Sequence, residues 1–136
     1  MGSRRVNAAY IDASALVKLF KAEPETVAFR EALRDWPVQV ASELIRVEAI
    51  CAARCLGGKD VLARAREALE HINLIPITPE IVDLATEPHT PPLREMDAIH
   101  LATALTMRDD LGAMFVYDND LHAVAQTHEL NPLSPR

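Results

Sequence analysis

Followed along its apolar and polar positions, the chain divides into short strand-like runs, each succeeded by a helical pattern. The first run, Ala8-Ala9-Tyr10-Ile11, is wholly apolar and reads as a buried strand. It stops at one carboxylate, Asp12, and small residues lead at once into the helix-like Ala15-Leu16-Val17-Lys18-Leu19-Phe20. Glu23-Pro24 opens a second helix, proline being tolerated in a first turn, and Phe29, Leu33 and Trp36 recur at helical spacing until Pro37 stops it. Val38 to Ala41 is a second strand, and Ser42 is the expected N-cap of a third helix, Glu43 to Leu56, ending at Gly57-Gly58. A fourth helix, Lys59 to Ile72, folds back on the third as a hairpin. Leu74 to Ile77 reads as an edge strand, because Pro76 cannot donate to a ladder, and Thr78-Pro79 starts a brief helix through Ala85.

After the loop His89-Thr90-Pro91-Pro92, the stretch Leu93 to Leu105 carries Met96, Ala98, Ile99, Leu101, Ala102, Ala104 and Leu105 around nearly its whole circumference. That distribution predicts a helix buried on most sides. Ala113 to Tyr117 is a further strand ending in an acid, Asp118, before a helix from Leu121 to Thr127 and a short last strand beyond Asn131-Pro132. Strands alternating with helices predict an α/β fold: a mainly parallel sheet with helices on both faces, in three layers. At 136 residues the chain fits one such domain, residues 1–136, with residues 1–6 read as a flexible or vector-derived start.

Composition narrows the function. The chain is 49% hydrophobic and 25% charged, an ordinary globular balance. No apolar run approaches the roughly 20 residues that span a bilayer, and no signal-peptide pattern is present, so the expected address is cytoplasmic, with no membrane partner. A net charge of −6 argues against binding nucleic acid through bulk electrostatics. It leaves room for a nuclease whose acids gather metal ions, since the ions then supply the positive charge where phosphate must sit. Cys51 and Cys55 lie four apart in a helix with nearly parallel side chains, which suits a disulfide poorly. They are read as small core residues of an apolar stripe with Leu44 and Val47.

Four acids stand where chemistry is expected. Asp12 closes a strand, and ligands of open α/β sheets bind at strand ends, although an aspartate there also serves as a helix N-cap. Glu48 occupies the stripe of the third helix at i+4 from Leu44, so it is either salt-bridged or functional. Glu43, in the first turn, is read only as a favourable charge on the helix dipole. Asp97 is embedded among apolar neighbours rather than preceding them, which favours function over capping, while His100 reads as a satisfied core histidine. Asp118 repeats the strand-end pattern of Asp12. If the first and fourth strands are neighbours, Asp12 and Asp118 converge, with Glu48 and Asp97 entering from flanking helices. Like charges so placed repel unless a divalent cation binds, and all-oxygen ligands select Mg²⁺ or Mn²⁺ over zinc.

The sequence Tyr10-Ile11-Asp12-Ala13-Ser14-Ala15-Leu16-Val17, then Glu48 in a Ser-initiated helix, then Leu93-Arg94-Glu95-Met96-Asp97-Ala98-Ile99-His100-Leu101-Ala102-Thr103-Ala104, then Val116-Tyr117-Asp118, resembles a PIN domain, and more narrowly the VapC toxins of type II toxin-antitoxin pairs. The resemblance spans essentially the whole chain. It implies a Mg²⁺-dependent endoribonuclease, with Mn²⁺ able to substitute, neutralised by a VapB-like antitoxin and usually homodimeric. The family's acids map onto Asp12, Glu48, Asp97 and Asp118, and its strand-end hydroxyl onto Ser14. Val116 replaces a Thr or Ser common in the family, and Asp120 replaces a residue often basic, so that Asp118 or Asp120 supplies the fourth carboxylate. Lys18, Lys21, Arg46 and Arg94 are nearby candidates for phosphate contacts. Two other readings compete: a PIN-like interaction module with a decayed site, and a receiver-type phosphoacceptor domain. The latter wants a late strand-end lysine, and no lysine follows Lys59.

Overall fold

The computed structural model describes residues 7–136; the start assigned to residues 1–6 lies outside the described residues. Five parallel strands form one sheet in the order β3-β2-β1-β4-β5. They are β1 (Ala8–Ile11), β2 (Gln39–Ser42), β3 (Asn73–Ile75), β4 (Leu111–Phe115) and β5 (Pro132–Leu133). β1 is central and completely buried, pairing with β2 through Tyr10 and Val40 and with β4 through Tyr10 and Met114. The strand expected over Leu74 to Ile77 is an edge strand, β3, but it ends at Ile75 and leaves Pro76 outside the ladder.

Seven helices connect the strands: α1 (Ala13–Leu16), prolonged by a 3-10 turn over Val17–Leu19, α2 (Thr26–Leu33), α3 (Leu44–Leu56), α4 (Lys59–Glu70), α5 (Pro79–Ala85), α6 (Glu95–Thr106) and α7 (Asn119–Thr127). Right-handed crossovers place α1 to α4 on one face and α5 to α7 on the other. The chain winds outward from β1 to β2 and β3, then returns to lay β4 on the far side of β1. The winding therefore reverses between β1 and β4, where open sheets leave a crevice at the C-terminal strand ends.

Local boundaries follow the expected signals with small shifts. Gly57 and Gly58, at φ of 79° and 97°, turn α3 into α4 in a conformation other residues rarely adopt. Thr78 caps α5 by accepting from Ile81 N at 3.2 Å. Ser42 remains in β2, with Glu43 at the helix N-cap, yet the Ser42 hydroxyl still accepts from Leu44 N at 3.2 Å. Glu43 does more than favour a dipole: its Oε1 takes the Ile77 N–H at 3.0 Å and anchors the chain leaving β3.

The stripe expected to bury α3 is corrected. Its inner face is Ile45, Ala49 and Ala53, while Val47 is 62% exposed and both cysteines are exposed thiols. Both sides of this helix are apolar, and the alanine side admits the closer approach of neighbouring elements, so the bulkier stripe is left outside. Met96 is likewise 53% exposed rather than part of a fully enclosed α6. Among the described residues, no helix is long and apolar enough to cross a membrane.

Trp36, beyond the end of α2, lies over the beginning of β4. A Cβ added to Gly112 would fall 2.6 Å from two carbons of the Trp36 ring and nearer still to the Asn7 side chain. Gly112→Ala is expected to destabilise the fold by roughly 1–3 kcal/mol, the usual cost of overpacking. A shifted denaturant midpoint at constant slope would register it, and an unchanged midpoint would contradict this packing.

Candidate active site

Asp12 is the first residue after β1, and its N–H donates to Phe115 O at 3.1 Å, so it is held at the reversal point beside β4. It is 1% exposed. One carboxylate oxygen, Oδ2, accepts from Ser14 N at 3.1 Å and from Ser14 Oγ at 2.6 Å. The serine hydroxyl in turn accepts from Tyr117 N at 2.9 Å, tying the exits of β1 and β4 together. The helix cap thus occupies only one of the two oxygens. Oδ1 is buried without a hydrogen-bond partner, 3.8 Å from His100 Nε2.

Glu48 reaches the same point from α3. Its Oε1 lies 2.6 Å from His100 Nε2, while His100 Nδ1 lies 2.7 Å from the Tyr10 hydroxyl, whose oxygen accepts from Ser42 N at 3.0 Å. His100 is fully buried. Burial disfavours its charged ring, but the bond to Glu48 and the charges of Asp12, Glu48 and Asp97 outweigh that cost and raise its pKa above the usual imidazole value. Charged, the ring donates from Nδ1 to Tyr10; neutral, it accepts the tyrosine proton there. In either form Nε2 carries hydrogen and donates to Glu48. The expected satisfied core histidine is present, and it also orients a candidate acid. Tyr10 as the other end of that link was missed, since nothing in a buried strand tyrosine announces its partner.

Asp97 stands in the first turn of α6, one helical turn before His100. Desolvation, together with the charges of Asp12 and Asp118, pushes its carboxyl up to about 6. Asp118 lies three residues beyond β4 as the N-cap of α7, its Oδ1 accepting from Leu121 N at 2.9 Å. Asp120 is exposed on the first turn of that helix, so Asp118 is the acid that faces Asp97. Val116 is fully buried in the hydrophobic core, and the hydroxyl at the β1–β4 junction comes from Ser14 instead.

The donor set suits a hard divalent cation: every free ligand atom is a carboxylate oxygen, the charges repel, and Asp12 Oδ1 is buried with nothing to satisfy it. Among the described residues no three acidic, histidine or cysteine side chains are placed together to hold a metal ion. Glu48 Oε1 is turned to His100, and Asp118 gives Oδ1 to its own helix and Oδ2 to Arg94.

The cations sort differently from expectation. Lys18 is corrected as a phosphate ligand: it is 6% exposed, pairs with Glu23 at 3.3 Å and Glu25 at 3.0 Å, and stands 4.4 Å over the Tyr117 ring. Lys21 and Arg46 are exposed. Arg94 reaches Asp97 at 3.7 Å and Asp118 at 3.5 Å. A cavity of about 530 Å³ is lined mainly by apolar residues of α5, the following loop and α6, including Ala98 and Ile99. At 100° per residue Ile99 lies ~160° around α6 from Asp97 and Ala98 ~100°, so this cavity opens away from the acids.

Comparison with known proteins places the chain in a family. A PIN domain is matched over residues 9–126. The chain is 39% identical to Ribonuclease VapC46 of Mycobacterium tuberculosis over 94% of its own length and 98% of the relative's, and 36% identical to Ribonuclease VapC47 over 82% and 85%. In fold it is similar to a toxin-antitoxin complex from Klebsiella pneumoniae, with a TM-score of 0.69 at 24% identity over 95% of this chain and 98% of that one. It is similar to the same degree, TM-score 0.69 at 16% identity over 85% and 94%, to VapC20 of M. tuberculosis, a sarcin-ricin loop cleaving toxin. The chain belongs to the PIN-domain family, among its VapC-type members.

Proposed function

We propose that this protein is a Mg²⁺- or Mn²⁺-dependent endoribonuclease that acts as the toxin of a VapBC-type pair. The observation that carries the reading is the buried, unpartnered Oδ1 of Asp12 beside a second carboxyl, Asp97, whose ionisation its acidic neighbours oppose. Relatives named as ribonucleases supply the substrate class.

Asp12, Asp97 and Asp118 would hold the ion, with Glu48 at its margin. A bound ion supplies Lewis-acid neutralisation of a phosphodiester and a water of lowered pKa. The chain's own part is positional. Ser14 fixes the Asp12 carboxylate from one side, leaving Oδ1 as the free donor. His100 holds Glu48 at the edge of the cluster, where a carboxylate can orient a water or receive its proton. α6 and the β4–α7 turn bring Asp97 and Asp118 in from the open side.

Two partners complete the proposal. A VapB-like antitoxin fits the toxin-antitoxin complex found among the structural relatives. A homodimer fits the outward stripe of α3, where Val47, Cys51 and Cys55 repeat every four residues and, among the described residues, are exposed.

RNA cleavage is expected to require Mg²⁺ or Mn²⁺, to stop in excess EDTA and to be lost in Asp12→Asn. Undiminished cleavage in EDTA would refute metal dependence, and absence of cleavage by the parent with either ion would favour the interaction-module reading. Light scattering at tens of micromolar, the range of weak dimers, should give about twice 15.0 kDa; a clean monomer would count against self-association.

Asp97 separates cap from site. With its pKa raised from 3.8 to about 6, the unfolded chain ionises first as pH rises. Metal-free protein therefore loses stability between those values, and the loss is complete above the upper one. Asp97→Asn should flatten that slope and melt at the same or a higher temperature in EDTA at neutral pH. It should also forfeit most of the parent's gain from Mg²⁺, about 2.7 kcal/mol at a hundred times the dissociation constant. A variant that melts lower in EDTA yet gains as much from Mg²⁺ would return Asp97 to the helix cap.

A further inference from the structure

Arg94 precedes α6 as its N-cap residue and makes no side-chain capping bond, so helix formation does not explain where its guanidinium lies. The side chain is 81% exposed, yet it lies across two acids from different elements, Nε 3.7 Å from Asp97 Oδ2 and Nη2 3.5 Å from Asp118 Oδ2. Among the described residues it is the one arginine or lysine paired with the acid cluster. Both contacts are long compared with the ~2.7–2.9 Å of a strong charge-assisted bond. An exposed pair of this kind contributes little stability and is readily exchanged.

We propose that Arg94 is a displaceable counter-cation: its guanidinium bridges Asp97 and Asp118 in the metal-free protein, yields those oxygens to an entering divalent ion, and then holds a phosphate of the RNA strand. The inference rests on the metal-dependent reading above. Its physical basis is competition for the same atoms, because Asp97 Oδ2 and Asp118 Oδ2 cannot serve a metal ion and a guanidinium together without placing two cations side by side. Once displaced, the side chain remains tethered at the mouth of the site and in water. A planar fork of five N–H donors there matches the oxygens of a phosphodiester.

The test uses Arg94→Gln, a change at an exposed position, and two readouts of opposite sign. Calorimetric titration of the RNA-free protein with Mn²⁺ should give binding about two- to fivefold tighter than in the parent, the release of an exposed pair's competition. At saturating Mn²⁺, a short non-cleavable oligoribonucleotide should bind more weakly by fluorescence anisotropy, and its logarithmic salt slope should fall by about 0.7, one phosphate contact on a single strand. General loosening of the site would weaken both ligands, so it cannot imitate this pattern. Arg94→Lys, which keeps the charge but loses the fork, should lie between the parent and the glutamine variant in both titrations. Unchanged or weaker Mn²⁺ binding by Arg94→Gln, or an unchanged RNA salt slope, would overturn the inference while leaving the metal site standing. A parent that binds no Mn²⁺ would overturn the functional reading itself, and this inference with it.

Discussion

Asp12 is a carboxylate withdrawn from water at the end of the central strand, with only one of its oxygens satisfied by the chain. Burying such a charge costs several kcal/mol unless partners compensate, and the surroundings are arranged around that demand. Ser14 gives both a backbone and a side-chain donor to Oδ2. The same hydroxyl takes the N–H of Tyr117, so the compensation also fastens β1 to the chain leaving β4. What cannot be compensated from within is Oδ1. Its charge instead falls on Asp97, whose ionisation it opposes, and on His100, whose protonation it favours.

The sheet separates α3 from α6, yet Glu48 and Asp97 belong to one cluster. They are joined through His100 of α6, whose ring meets Glu48 and feels the charge of Asp97. Tyr10 spans the gap: its ring is buried in β1, and its hydroxyl receives the Ser42 N–H from β2 while engaging His100 of α6. His100 then passes to Glu48. Four elements, β1, β2, α6 and α3, are thus linked through one buried hydroxyl and one imidazole. Because burial also holds the Tyr10 phenol well above its ordinary pKa, that hydroxyl remains a neutral hydrogen-bonding group.

Much of this was legible in the residues because it depends on local signals. Strand and helix order follow from apolar runs, caps and the Gly57-Gly58 stop, whereas the pairing of β1 with β4 enters the sequence reading only as a condition, which the sheet meets. What was not legible depends on which of two plausible faces wins. α3 is apolar on both sides, so periodicity could not choose between the alanine face and the stripe of Val47, Cys51 and Cys55. Lys18 resembled a free cation because its acid partners, Glu23 and Glu25, come from the turn after the 3-10 segment. Asp118 looked like the end of a strand but is the N-cap of the helix that follows; both assignments leave it at the same crevice.

The remaining issue is how an acidic protein approaches a polyanion. With a net charge of −6 and four carboxylates at the crevice, the field opposes the arrival of a phosphodiester before any specific contact forms. Bulk positive charge does not relieve this, and the most deeply placed lysine, Lys18, is already committed to two glutamates and an aromatic face. Neutralisation must therefore be local. Unit charges about 4 Å apart interact by about 4 kcal/mol at the intermediate dielectric of a protein surface, against about 1 kcal/mol in water, so a cation placed among the acids changes the potential at the crevice far more than one on the rim. That difference imposes an order on the proposed reaction. The carboxylates have to be neutralised first, and only then does the open side, between the N-terminus of α6 and the β4–α7 turn, become a surface that a nucleic-acid backbone can approach.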